Sequence, residues 1–116
     1  MRDIDKLYHN DFGISFFWKS KVKSKNSLVE LIFREAGLSL HSDDIKIMYD
    51  KVKSIVDKPS LCEDCQKNDN CKPFLLEVPN AMVSFAMSYQ EMKEMSDLLK
   101  GTLFHLELNH LLNYDF

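Results

Sequence analysis

The stretch with the strongest hydrophobic pattern is residues 73–112, PFLLEVPNAMVSFAMSYQEMKEMSDLLKGTLFHLELNHLL. Its first part alternates short apolar runs with turn-forming residues. Leu75–Val78 and Met82–Met87 each have the length and apolar content of a strand, and Pro79–Asn80 between them is typical of a turn. This part of the chain therefore predicts a β-hairpin.

A helix is predicted directly after this hairpin. Ser88 is followed three residues later by Glu91, the spacing of a capping box, in which each side chain accepts a backbone N–H of the other residue. The residues expected on the buried face of the helix are Tyr89, Met92, Met95 and Leu99. Beyond Gly101 the pattern suits a helix or an alternating strand. We favour a continued or slightly kinked helix, because Leu, Glu and His dominate there and no turn signal precedes Asn113.

An earlier part of the chain repeats this pattern. With an offset of 47 residues, apolar positions coincide and three polar positions are identical, namely Glu30/Glu77, Lys46/Lys93 and Asp50/Asp97. The repeat favours a hairpin of Val29–Phe33 and Leu38–Leu40, with Gly37 in the left-handed conformation in the connecting loop. The local alternative is a helix over Leu28–Ala36, which would begin at a capping-box spacing and end at Gly37.

The segment after this hairpin predicts a helix from Ser42 to about Asp57. Ser42 is expected to cap it, and Asp43 and Asp44 lie in the first turn, where the helix dipole favours negative charge. One side of the helix carries its apolar residues, Ile45, Met48, Tyr49, Val52, Ile55 and Val56. Pro59 prevents the helix from continuing.

The N-terminal residues contain one ambiguous segment and one predicted strand. Met1–Asn10 is polar with a few apolar residues at helical spacing, which is compatible with one short helix or a loose arm. Phe12–Trp18 is rich in β-forming residues and predicts a strand. Its consecutive aromatic residues would lie on both faces of a sheet. We therefore expect cover on both faces, from this domain, a second copy or another protein.

Composition and charge bound the functional class. Hydrophobic residues make up 45% and charged residues 28% of the 116 residues, which is typical of a folded domain. The formal net charge of −3 gives no electrostatic reason to expect nucleic acid or an anionic membrane as a partner. The chain shows no signal sequence and no apolar run long enough to span a membrane, so we expect a cytoplasmic location.

The connector at residues 58–73 holds all three cysteines and carries the one motif with a chemical mechanism. Cys62 and Cys65 are separated by two residues, and Cys71 follows after five more. Thiolates at such spacing bind zinc in tetrahedral sites, which need a fourth ligand, and His41 is a candidate. Further candidates are His9, His105, Asp64 and Asp69. The simpler interpretation is three reduced thiols, since an odd number of cysteines suits a reducing compartment.

Two other functions are compatible with short motifs. The CxxC pair of Cys62 and Cys65 is typical of thiol redox proteins, although the acidic residues between them would raise rather than lower the thiol pKa. Lys19–Lys25 has four lysines at alternate positions, which could bind nucleic acid weakly or form a solvated connector. The methionines of residues 82–95 could line an adaptable binding groove, but at this periodicity they more often belong to a core.

Taken together, the patterns predict an α+β fold in a single domain of residues 1–116. Two hairpin–helix (ββα) units, at residues 27–57 and 74–112, would share one antiparallel sheet with both helices packed on one face. Motifs of nucleotide binding or of nucleophilic catalysis are absent from the sequence. We therefore expect a non-enzymatic interaction or scaffolding domain, with a structural zinc in its cysteine connector as an added possibility.

Overall fold

The computed structural model describes residues 4–19, 28–58 and 71–114, with their side chains through residue 108. The fold is α+β. In chain order its elements are β1 (Ile4–His9), β2 (Gly13–Trp18), β3 (Val29–Phe33), β4 (Ala36–Leu40), α1 (Ser42–Asp57), β5 (Phe74–Glu77), β6 (Ser84–Met87) and α2 (Tyr89–Tyr114). Among these described residues, no helix is both long and apolar enough to cross a membrane.

The first four strands form an antiparallel sheet in the order β1-β2-β3-β4. The hairpin of β3 and β4 is present, so the alternative of a helix over Leu28–Ala36 is wrong. Its turn is shorter than expected, because Phe33 pairs with Ala36 and leaves only Arg34 and Glu35 in the loop. Arg34 has a φ of 55°, and no glycine has a positive φ, so the left-handed position predicted for Gly37 belongs to Arg34.

The N-terminal segment forms β1, and neither a short helix nor a loose arm. A bulge explains why its pattern resembled a helix. The register of β1 against β2 shifts between Lys6 and Tyr8, which leaves Leu7 as an extra residue. Because of this extra residue, Leu7 and Tyr8 both point toward the helices, whereas strict alternation would place them on opposite faces.

The β5–β6 hairpin does not join the four-stranded sheet. β5 and β6 pair only with each other, so the prediction of one sheet shared by both hairpins is wrong. The hairpins meet instead through side chains. The Phe33 and Phe85 rings pack edge to face with centroids 4.9 Å apart, and Arg34 Nη1 donates to the Ala86 carbonyl at 2.9 Å. The loop between β5 and β6 is also longer than the predicted two-residue turn and leaves Met82 fully exposed.

Helix α1 covers the predicted range and buries the predicted stripe, including Ile45, Met48 and Val52. Its N-cap is His41, one residue earlier than expected. The Asp44 carboxylate accepts the backbone N–H of His41 at 3.3 Å, so the side chain of the third helical residue, and not that of Ser42, caps this end.

Helix α2 runs without interruption through Gly101, and the strand alternative for the residues beyond it is wrong. The predicted capping box is present. The Ser88 hydroxyl accepts the Glu91 N–H at 3.1 Å, and a Glu91 carboxylate oxygen accepts the Ser88 N–H at 3.0 Å. Gly101 lies against the ring of Tyr8, where a Cβ would come within 2.5 Å of ring atoms. The glycine thus allows β1 to approach the helix closely.

One hydrophobic core joins the helices to both sheets. It combines one face of the four-stranded sheet with the buried sides of the helices and with residues of β5 and β6. Its fully buried large side chains include Leu31, Phe33, Ile45, Met48, Leu76, Met87, Met92, Met95, Leu98 and Leu99. The methionines at 87, 92 and 95 therefore belong to the core, as their spacing predicted.

Candidate functional site

The four-stranded sheet has one face that the core does not use. We call it the outer face. The strand register aligns one residue from each strand across it, namely Lys6, Phe16, Glu30 and Ser39. A second row places His9, Ile14, Ile32 and Gly37 side by side, and Ile4 and Trp18 extend the face beyond β3. Both helices pack on the opposite face, so no helix among the described residues covers this one.

The outer face exposes large apolar side chains. Trp18 is 57% exposed and Ile32 is 41% exposed. Phe16 lies between them and is only 2% exposed, partly because the Trp18 ring packs edge-on against it with centroids 5.2 Å apart. The predicted Phe12–Trp18 strand therefore has aromatic residues on both faces, and of the outer ones Trp18 remains accessible while Phe16 is buried. Exposed aromatic residues beside polar ones are typical of protein interaction sites.

A carboxylate lies at the centre of the same face. Glu30 Oε1 accepts hydrogen bonds from Trp18 Nε1 at 3.0 Å and from the Ser39 hydroxyl at 2.9 Å. Glu30 Oε2 is buried and has no hydrogen-bond partner. A buried carboxylate oxygen without a donor is costly, and a donor from another molecule reaches it only when the side chains that cover it move aside.

A second polar cluster joins the β1–β2 turn to α2. Tyr8 Oη donates to Asp97 Oδ2 at 2.9 Å, and Asn10 Nδ2 lies 3.0 Å from the same oxygen and 3.0 Å from the Glu94 carbonyl. The hydrogen bond to Asp97 is the main reason that the pKa of Tyr8 is raised above its usual value; slight burial and the charge of Asp97 add to it. These polar groups satisfy one another, so the cluster holds the turn to the helix rather than presenting free chemistry.

Charged residues also surround the start of α2. Glu91 forms ion pairs with Lys72 and, at 3.7 Å, with Arg34. Burial opposes the charge of Glu91, but the hydrogen bonds from Lys72 and the Ser88 N–H, with the two positive charges, hold its pKa below the usual value. The cluster fastens the β3–β4 hairpin, through Arg34, and the end of the connector, through Lys72, to the start of α2.

The predicted zinc ligands can be located only in part. Cys62 and Cys65 lie outside the described residues, and Cys71 is half-buried immediately before Lys72. The suggested fourth ligand His41 is exposed at the start of α1. Within residues 4–19, 28–58 and 71–108, no three His, Cys, Asp or Glu side chains lie close enough together to hold a metal ion.

The other candidate residues are dispersed. His9 is on the outer face, whereas His105 is on α2, where its ring stacks on Tyr8 with centroids 6.2 Å apart. Of the lysine segment Lys19–Lys25, only Lys19 belongs to the described residues. Sequence reasoning expected an aromatic surface on β2 but missed Glu30 as its polar centre. The signal for it was a single acidic residue within the apolar run VELIF.

Comparisons with known proteins add no family to this description. Searches against protein-family models, against curated proteins and against solved structures each gave no match.

Proposed function

We propose that this chain is a non-enzymatic protein-interaction domain that pairs with a second copy of itself through the outer face. The observation that carries the proposal is the exposure of Trp18 and Ile32 on a sheet face that no described helix covers. Covering the face with protein would remove Trp18 and Ile32 from water. Glu30 Oε2 lies beneath this surface without a donor, and a donor on the covering protein would satisfy it once the side chains over it shift.

A second copy can supply that donor. Lys6 is exposed, lies in the same row of the outer face as Glu30, and forms no ion pair with the described residues. In a twofold dimer the same surface is used by both copies, so each Lys6 can be placed opposite the Glu30 of the other copy. The face therefore carries both halves of a complementary pair.

The size of the face sets the expected strength. Four strands spaced ~4.8 Å apart and about five residues of ~3.4 Å each give an area of roughly 15 by 17 Å. This is smaller than the ~800 Å² per partner of a standard stable interface. We therefore expect a weak dimer, with a dissociation constant of about micromolar or higher, whose population rises with protein concentration.

The test is a charge exchange read by sedimentation velocity at tens to hundreds of micromolar protein. We expect Lys6→Glu and Glu30→Lys each to shift the chain toward monomer, and the double exchange to restore the dimer. Circular dichroism checks that each variant is folded, since Glu30 also accepts hydrogen bonds from Trp18 and Ser39.

A matched apolar pair completes the experiment. Trp18→Ala should weaken the dimer at least tenfold, because tryptophan is a frequent anchor of interfaces. Phe104→Ala should leave it unchanged, since Phe104 is similarly exposed, at 61%, but lies on α2. A wild-type chain that stays monomeric at these concentrations, or a double exchange that does not recover, would contradict the proposal.

The zinc site is a separate part of the proposed function. Cys62, Cys65 and Cys71 would hold one zinc and fasten the connector, with a fourth ligand that is not identified. The half-buried position of Cys71 beside the Lys72–Glu91 ion pair supports an anchored end of the connector. We also infer that residues 27–57 and 74–112 are related hairpin–helix units, an inference that the order of their elements supports.

A further inference from the structure

Strand β4 is an edge of the four-stranded sheet. It pairs with β3 on one side, and its other side has no strand partner among the described residues. An unpaired strand edge presents backbone N–H and C=O groups that can pair with another extended chain.

The register of the hairpin identifies the free groups. Phe33 and Ala36 flank the two-residue turn, so they form the hydrogen-bonded pair that closes it. In an antiparallel ladder such pairs alternate with pairs whose backbone groups point away from each other. The alternation directs the N–H and C=O groups of Gly37 and Ser39 away from β3, toward the open edge.

A groove of about 540 Å³ runs along this edge. Its second wall is the loop Val78–Ala81, which follows β5. Leu38, Leu40 and Val78 give the groove an apolar side toward the core, while Gly37 and Ser39 face the opposite side. The groove thus offers, on one wall, backbone groups that no described strand pairs with, and it offers apolar contacts beside them.

Asp44 fixes the distance between the two walls. One of its carboxylate oxygens accepts the N–H of His41, the residue that follows β4, at 3.3 Å. The other accepts Asn80 Nδ2 in the opposite loop at 3.0 Å. Asn80 has a φ of 60°, a conformation that asparagine tolerates better than most residues, so this loop has a defined shape. These hydrogen bonds hold the groove in shape before a ligand binds, so no binding energy is spent on forming it.

We propose that this groove binds an extended segment of another protein, which adds to β4 as a fifth strand. Gly37 and Ser39 would each donate one hydrogen bond to the segment and accept one from it. Alternate side chains of the segment would enter the apolar side of the groove, so an i, i+2 pattern of aliphatic residues suits it. The site uses the backbone of Gly37 and Ser39, whose side-chain positions border the outer face, but it does not use the Trp18, Glu30 or Lys6 side chains on which the proposed dimer depends.

The probe is a synthetic peptide of alternating valine and threonine flanked by lysines, added to the ¹⁵N-labelled full-length chain. We expect its addition to shift the amide signals of Gly37 and Ser39 and to slow their hydrogen exchange. Two further peptides carry backbone N-methyl groups on either all valines or all threonines. One set of N–H groups faces β4 and the other faces away, so one methylated peptide should lose binding and the other should retain it.

Variants on both walls complete the test. Gly37→Pro removes an N–H that β3 does not use, and it should lower peptide affinity at least tenfold. Gly37→Ala keeps the N–H and should bind as the wild type does, since the added Cβ meets only Ile32 Cγ1, at 3.8 Å. Ala81→Arg fills the groove from the exposed opposite wall and should also lower affinity at least tenfold.

Three results would overturn the inference. The first is a lack of signal changes at Gly37 and Ser39 with millimolar peptide. The second is equal binding of both methylated peptides, which would show that strand pairing is not involved. The third is unchanged binding by both Gly37→Pro and Ala81→Arg.

Discussion

Replacing Gly101 with alanine measures how closely β1 approaches α2. A Cβ at this position would lie 2.5 Å from Cγ and Cδ2 of Tyr8 and 2.6 Å from Cδ1. Carbon atoms in favourable contact are about 3.5–4.0 Å apart, so the ring has to move by about 1 Å. These atoms are at the base of the ring, where rotation of the side chain relieves the overlap least.

The expected change in the free energy of unfolding combines opposing effects. Alanine is more favourable than glycine inside a helix by about 1 kcal/mol. Overpacking costs about 1–3 kcal/mol, and moving the ring weakens the 2.9 Å hydrogen bond from Tyr8 to Asp97, which is worth about 1 kcal/mol at most. We therefore expect Gly101→Ala to lose between about 0 and 3 kcal/mol, with a central value of about 1–2 kcal/mol.

Urea unfolding followed by circular dichroism provides the measurement, with fluorescence of the single tryptophan, Trp18, as a second probe. Gly37→Ala is the matched control. Its φ is not positive and its Cβ has space, so we expect a change within about 0.5 kcal/mol. In a Tyr8→Ala background, Gly101→Ala should become stabilising by about 1 kcal/mol, because only the helix propensity remains.

Two results would refute this reasoning. One is a Gly101→Ala chain at least as stable as the wild type while Tyr8 is present. The other is the same loss in both backgrounds, which would place the cost of the substitution elsewhere in the structure.

Three further predictions concern other contacts. The folded-state pKa of Glu91 is lowered, so its contribution to stability is present at neutral pH and is lost as pH falls below about 5; Glu91→Gln should flatten this part of the stability–pH profile. Thr102→Val removes the buried partner of the Ser15 hydroxyl and should cost about 1–2 kcal/mol, whereas adding Ser15→Ala should recover part of that loss. Elemental analysis of fresh protein should find about one zinc per chain; no metal together with three freely alkylated thiols would contradict the zinc proposal.

Local patterns were predicted well where neighbouring residues interact. The Ser88–Glu91 capping box, the buried stripe of α1 and the β3–β4 hairpin all depend on residues only a few positions apart. The α+β class followed from these elements. The hairpin turn was predicted two residues too long, because Arg34 takes the left-handed conformation that glycine normally adopts.

The candidate site was predicted only in outline. The aromatic run of β2 indicated a surface that needs cover, but its polar centre depends on the register of β2 against β3, which places Phe16 beside Glu30. The groove beside β4 could not be predicted either, because its second wall comes from a loop about forty residues later in the chain. The apolar residues of β1 were misleading, since the bulge at Leu7 disturbs their alternation.

The amino-acid sequence by itself determined the helices, most of the strands and their order, because propensity, capping and periodicity act over a few residues. The tertiary structure alone decided that β1 completes the four-stranded sheet, that the β5–β6 hairpin stays separate, and that no described helix covers the outer face. Such choices depend on contacts between distant positions, such as Tyr8 with Asp97, which are 89 residues apart. These contacts follow from how the elements fit together around the shared core, and a local sequence pattern does not specify that fit.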